Sequence, residues 1–302
     1  MNRDKAAPIK AKLLNLSKET RVDFDALLLL YFQERFLYRL AISEFSGNFI
    51  LKGGFLLFCM KMIWSRPTRD IDFLAKGVNN NTSVLEGIFK RIAGLSCDDG
   101  VDFDLSSIST ERIIENTEYV GIRVKISIYL GKARKVLQFD IGFGDSVWPE
   151  PRLIEFPGLL EAPKTMLNAY SAESIIAEKF EIMLKKEMIN SRMKDFFDIF
   201  NLSFSYNFSG EVLKKAIENT LKKRQTVIQD VPYVFREEFQ NDKGKQQQWA
   251  AFLRKTRIDK SNHDFHGIMK RITDFLEPVV ISIKEKKEMK ESWEAAKGIW
   301  AL

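Results

Sequence analysis

The chain has 302 residues, 45% hydrophobic and 29% charged, with 47 Lys and Arg against 41 Asp and Glu, a net charge of +6 and a pI near 9.1. The hydrophobic share excludes a disordered chain, no apolar run approaches the roughly 18 to 20 residues of a membrane span, and the length suggests two domains of roughly 150 residues. The basic balance suits an anionic partner such as RNA or nucleotide phosphates, or simply a soluble basic protein.

Met1 to Lys5 opens no apolar signal core, and the two cysteines, Cys59 and Cys97, make no disulfide framework. A cytoplasmic protein in a reducing compartment is therefore expected. Ala11 to Ser17 and Asp23 to Ser43 read as helices, the second with Phe24, Leu27, Leu28, Tyr31 and Phe32 at helical spacing. The apolar run Phe49-Ile50-Leu51 ends at Lys52-Gly53-Gly54, and a helix from about Phe55 to Ile63 follows. After Arg66-Pro67-Thr68 a strand runs from about Asp70 to Leu74. A polar loop, Asn79 to Ser83, then leads into the helix Val84 to Ala93. Gly121 to Leu130 and Leu137 to Phe143 alternate apolar and polar residues, so they form a hairpin with Gly131-Lys132-Ala133-Arg134 as its turn. From Ser171, a plausible N-cap, the chain reads as almost entirely helical. Ser203 to Ser209 is a candidate boundary, and the mixed charges of Lys284 to Lys290 read as a solvated helix face.

Asp70 and Asp72 fall at i and i+2 of a strand, so both point to one face with alpha-carbons about 6.6 Å apart. Ile71 and Phe73 point into the core. Paired carboxylates of this kind suit divalent cations that clamp nucleotide phosphates. The spacing alone does not distinguish them, because Asp23-x-Asp25 and Asp102-x-Asp104 repeat it, and such triplets are commonly helix starts or solvated faces. Their neighbours do. Asp140 lies on the return strand, facing with Gln138 and Gly142, and joins the pair if that strand lies beside Asp70 to Leu74. Lys52-Gly53-Gly54 stands where a strand turns into a helix, which lets a phosphate approach backbone N–H groups. The spacings of a Rossmann fingerprint and of a P-loop are absent. Arg66 and Thr68 can donate to phosphate oxygens.

Lys179 falls within an apolar stripe of the helix Ala172 to Lys186, about 40° from Ile175 and between it and Met183 at about 80°. A buried ammonium requires a partner, a carboxylate or a triphosphate, unless its stem carries the charge out to water. Arg192-x-Lys194-Asp195-x-x-Asp198 opens the next helix. Asp195 there lies between Ile199 and Leu202 on a secondary apolar face, either as an ordinary helix charge or as a partly buried one. With only His263 and His266 in the chain, histidine-based triads are disfavoured. Those two histidines read as surface or packing residues. Lys222-Lys223-Arg224 is a basic patch or a solvated helix end.

These motifs, in this order and spacing from about residue 8 to 205, resemble the AbiEii/AbiGii toxin family of nucleotidyltransferases. The resemblance implies an α+β fold of the polymerase-beta-like nucleotidyltransferase type: a mixed sheet flanked by helices, with a C-terminal helical bundle. The expected division is a nucleotidyltransferase domain over 1–205 and a helical domain over 206–302. It implies a toxin of a toxin–antitoxin pair whose antitoxin, from a neighbouring gene, does not bind it directly, and no membrane partner. It also implies Mg²⁺- or Mn²⁺-dependent transfer of a nucleotide from a nucleoside triphosphate to an RNA acceptor, a tRNA 3′ end. By position, Asp70 matches the first metal carboxylate, with Asp72 and Asp140 at the remaining acidic places. Lys179 matches the family's essential lysine and Asp195 its essential aspartate. Lys52, Gly53, Gly54, Arg66 and Thr68 are the expected nucleotide-binding residues. Transfer to a protein or small-molecule hydroxyl, or nucleotide binding without turnover, are the alternatives.

Overall fold

A computed structural model describes residues 3–61, 68–115, 119–156, 158–160, 163–256, 258–259 and 264–302. They form two compact units, one of residues 1–144 and 151–170, the other of 145–150 and 171–302. Packing thus divides the chain at Tyr170/Ser171, whereas the division expected from the motifs lay at 205.

The first unit carries α1 (Arg3–Thr20), α2 (Phe24–Ile42), β1 (Phe49–Lys52), α3 (Gly53–Lys61), β2 (Asp70–Ala75) and α4 (Thr82–Ala93). β3 (Val101–Glu115), β4 (Tyr119–Leu130), β5 (Ala133–Phe143), β6 (Arg152–Phe156) and β7 (Thr165–Ala169) follow. Caps set the helix starts: the Asp23 side chain accepts from the Ala26 amide, and Asn81 accepts from Ser83 and Val84. The seven strands make one mixed sheet in the order β3-β4-β5-β2-β1-β7-β6. β2 runs parallel to β5 and β1 parallel to β7, while the other neighbours are antiparallel.

One face of this sheet is apolar. Phe36 of α2 and Phe89 of α4 pack on Phe139 of β5 at ring distances of 4.2 and 5.1 Å, and Phe49 and Phe73 meet at 5.7 Å. Burying each such ring contributes roughly 1.5 to 3 kcal/mol. The wealth of phenylalanine in this unit is core. Because strand side chains alternate, the opposite face carries the charged residues Lys52, Asp70, Asp72 and Asp140.

The hairpin differs from expectation at its turn. Leu130 pairs with Ala133, so the turn is Gly131-Lys132 alone, with Gly131 at φ +60°. A positive φ at the first turn position matches the right-handed twist of the flanking strands.

The second unit contains α5 (Ala172–Lys186), α6 (Met193–Ser205), β8 (Phe208–Ser209), α7 (Gly210–Arg224), α8 (Glu237–Gln240), α9 (Lys243–Thr256), α10 (Phe265–Lys284), β9 (Ser292–Glu294) and β10 (Ile299–Ala301). Ser171 caps α5 by accepting from the Ser174 amide. The segment from Ser171, expected to be almost entirely helical, also holds a three-stranded sheet, β10-β9-β8. There Trp293 and Trp300 pack on Phe275, and Trp293 Nε1 donates to the Ser203 carbonyl at 2.7 Å. The Lys284–Lys290 run is not a helix face either, because α10 ends at Lys284. Among the described residues no helix is long and apolar enough to cross a membrane.

Candidate active site

β2 places Asp70 and Asp72 half-buried on one face, with Ile71 and Phe73 fully buried on the other. The parallel pairing sets Asp70 beside Gln138 and Asp72 beside Asp140. The condition attached to Asp140 is therefore met, and three carboxylates share one face. On the other side of β2, Lys52 is in register with Asp72. On the far side of β5, Arg123 is in register with Asp140, and Glu111 with Arg123. One row of charges thus crosses five strands in the order Lys52, Asp72, Asp140, Arg123, Glu111.

Arg123 is the partner that sequence reasoning missed. Its Nε and Nη2 donate to the two carboxylate oxygens of Asp140, both at 2.8 Å. That hydrogen-bonded contact, with the further charges of Asp70 and Glu111, pushes the guanidinium pKa up against the effect of burial. A hairpin turn counted at two residues instead of four would have revealed the pairing.

The glycines behave as the strand-to-helix reading requires. β1 runs into α3 with no intervening loop. Gly53 has φ +68°, and a β-carbon built there would lie 2.6 Å from Asp72 Cγ and 2.8 Å from its Cβ. The Asp72 carboxylate therefore rests against the backbone of Gly53, in space that only glycine leaves open. Lys52 is buried, its ammonium 5.6 Å from the centre of the Tyr170 ring. Thr68 donates its hydroxyl proton to the Asp70 carbonyl at 3.2 Å, which shapes the strand entry. Gln33, a polar residue on the buried side of α2, donates to the Thr68 and Arg69 carbonyls at 3.2 and 3.1 Å and so holds the segment entering β2. Arg66 lies outside the described residues, as does His263. The other two Asp-x-Asp triplets are structural. Asp23 is a helix cap, Asp25 pairs with Lys135, and Asp104 accepts from the Ser106 amide and hydroxyl.

In the second unit Lys179 has the carboxylate partners its position demanded. Its ammonium lies 2.6 Å from Asp195 and 2.8 Å from Asp198. Asp195 is fully buried and also meets Arg192 Nε at 2.5 Å. Burial pushes its carboxyl up, but Lys179 and Arg192 outweigh that and hold it at about 2. Arg224 does not belong to a basic patch. It is nearly buried, beside Asp145 at 3.1 Å, Glu178 at 3.6 Å and Glu181 at 2.9 Å, while Lys222 and Lys223 are exposed. His266 is exposed on α10.

Residues 35–271 match the family model described as nucleotidyl transferase AbiEii toxin, type IV toxin–antitoxin system. The chain belongs to this AbiEii family. No curated protein sequence matches it. Two solved structures from Helicobacter pylori are similar to this AbiEii chain. One, described as a nucleotidyltransferase, is 13% identical, with 87% of this chain and 98% of that one covered and a TM-score of 0.47. The other, JHP933, is 14% identical, with coverages of 88% and 96% and a TM-score of 0.48.

The donor set of this AbiEii protein fits a divalent cation of the hard, oxygen-seeking kind. Asp70 and Asp72 offer oxygens on one face, and the space that a Gly53 side chain would fill is kept for a carboxylate. Among the described residues no three His, Cys, Asp or Glu side chains converge as a ready-made ligand cluster. Magnesium accepts such a set, since it is commonly held by one or two carboxylates together with water and substrate phosphates.

Proposed function

We propose that this AbiEii toxin transfers a nucleotide from a nucleoside triphosphate to an RNA acceptor, the 3′ end of a tRNA, with Mg²⁺ or Mn²⁺. The observation that carries the reading is the seating of Asp72 against Gly53, next to Asp70 and in register with Asp140. A carboxylate group fixed at a strand-to-helix turn suits a triphosphate that meets backbone N–H groups and a cation at once.

In this reading Asp70 and Asp72 hold the cation, and Asp140 is the third acidic residue of the face. A bound divalent cation supplies positive charge to the attacking and leaving oxygens of the displacement. The Gly53-Gly54 turn lies along the phosphates, and Lys52 adds positive charge to the row. Arg66 and Thr68 are assigned to the nucleotide by the motif match, and so is Lys179 to the reaction. Asp195 and Asp198 hold the Lys179 ammonium in one place. Most of the rate then comes from charges fixed before the reaction begins.

The test is incubation of the purified protein with each labelled nucleoside triphosphate, Mg²⁺ and total RNA. Label in tRNA is the expected result. Label in protein would move the acceptor to a protein hydroxyl, and binding without transfer would make the chain a nucleotide-binding module. Asp70→Asn is expected to abolish transfer with the fold intact. Parental transfer by that variant would remove Asp70 from the site.

A further inference from the structure

Both oxygens of Asp140 are taken by a single side chain. The Arg123 fork meets them at 2.8 Å each, and Gln138 Nε2 adds a longer contact of 3.4 Å to Oδ1. A planar guanidinium set squarely on a carboxylate is the most favourable ion-pair geometry a protein offers. Hairpin register holds the two backbones opposite one another, and the Asp140 side chain is only 11% exposed. On the other side of the guanidinium stands Glu111, in register on β3, with Oε1 4.0 Å from Arg123 Nη1. Arg123 therefore lies between two carboxylates, one within the candidate site and one on the edge strand.

We propose that Arg123 is an internal competitor for the divalent cation, holding Asp140 in the nucleotide-free protein and shifting toward Glu111 when Asp140 turns to a cation. This rests on the nucleotide-transfer reading, in which Asp70 and Asp72 carry that cation. Lys52 and Arg123 offset two of the three carboxylate charges on this face, so a bare cation meets little net attraction. With Asp140 held, two carboxylates remain, and the other positions of a hard cation fall to water until the oxygens of a triphosphate replace it. The site is then completed by cation and nucleotide together. The Arg123–Glu111 distance lowers the cost of release, because the guanidinium moves toward a second carboxylate, which it would share with the Lys125 ammonium 2.9 Å from the same oxygen.

The test is Mn²⁺ binding to the full chain without nucleotide, followed by electron paramagnetic resonance, with thermal melts confirming that each variant is folded. Arg123→Gln is expected to bind Mn²⁺ about three- to tenfold more tightly than the parent, as loss of a partly exposed ion-pair competitor implies. Arg123→Lys, which keeps the charge but not the fork, falls between them. Glu111→Gln binds roughly two- to fivefold more weakly, because the released guanidinium loses its second partner. Lys132→Gln removes one positive charge from the exposed turn of the same hairpin, away from both Asp140 and Glu111, and should change affinity by less than about twofold. Arg123→Gln no tighter than the parent, or a gain in Lys132→Gln as large as that in Arg123→Gln, overturns the competition. Asp70→Asn separates the two levels. Parental Mn²⁺ affinity in that variant overturns the site assignment and the competition with it. Loss of binding there, with no gain in Arg123→Gln, overturns the competition alone.

Discussion

Substituting Gly53 with alanine tests whether the turn after β1 exists to seat Asp72. Two effects add. The backbone at φ +68° is a left-handed conformation, which disfavours an L side chain by about 1 to 2 kcal/mol. The new methyl would also lie 2.6 and 2.8 Å from Cγ and Cβ of Asp72, with a carboxylate oxygen nearer still, so that carboxylate must retreat by roughly 1 to 1.5 Å to reach ordinary contact. Forced movement of this kind in a packed region costs about 1 to 3 kcal/mol. The sum, about 2 to 5 kcal/mol, lowers Tm by roughly 5 to 15 °C for a unit of this size. Displacement of a substrate-positioning group by about 1 Å lowers turnover about a hundredfold. Calorimetry and the labelled-nucleotide assay measure the two losses separately. The pair Gly53→Ala/Asp72→Gly removes the overlap and should recover about 1 to 3 kcal/mol of stability with no recovery of transfer. Gly53→Ala with parental Tm and parental transfer would refute the reasoning, since neither the strain nor the contact would then matter.

Three further outcomes follow from the geometry. Asp195 has a folded pKa of about 2, below the 3.8 of an unperturbed carboxyl, so its contribution of about 2 kcal/mol is complete above the unfolded pKa and fades as pH falls toward 2; in Asp195→Asn, thermal melts should lose most of that acid dependence. Lys245, 3% exposed, donates to the Met188 and Asn190 carbonyls at 2.6 and 2.7 Å. Lys245→Met leaves both without that donor, so a loss of about 2 to 4 kcal/mol and faster hydrogen exchange over residues 187–192 are expected. Gln33→Leu removes the grip on the Thr68 and Arg69 carbonyls and should lower transfer about tenfold, with about 1 to 2 kcal/mol lost in melts. An unchanged transfer rate would show that β2 holds its own entry.

The fold was legible where a period was unbroken. Apolar spacing located α2, and with Ser171 as its cap α5 appeared between the residues expected, Ala172 and Lys186. β3 was not foreseen. It is an edge strand with one neighbour, and a register shift between Asp104 and Ser109 interrupts its alternation, so the apolar residues Phe103, Ile108 and Ile113 do not follow the period of two. β6 and β7 lie among prolines, and their pairing with each other and with Leu51 of β1 is set by partners distant in sequence. β8, β9 and β10 have two or three residues each, too few to show alternation.

The candidate site was legible to the extent that one strand determines it. Period two alone puts Asp70 and Asp72 on one face, and period 3.6 alone puts Lys179 where a partner is required. What one strand cannot state is who stands beside it. Asp140 depended on a parallel pairing between β2 and β5 that no local signal encodes. Arg123 depended on the length of a turn: four residues would have set Leu130 against Lys135, whereas the two-residue turn sets it against Ala133 and so brings Arg123 opposite Asp140. A shift of two residues preserves the face of every side chain, so the hydrophobic pattern is equally satisfied by either register. Gly131 at φ +60° decides between them, because the tight turn needs that backbone conformation at its first position. The charge that meets the third carboxylate of this toxin is thus fixed by a glycine eight residues away in the chain.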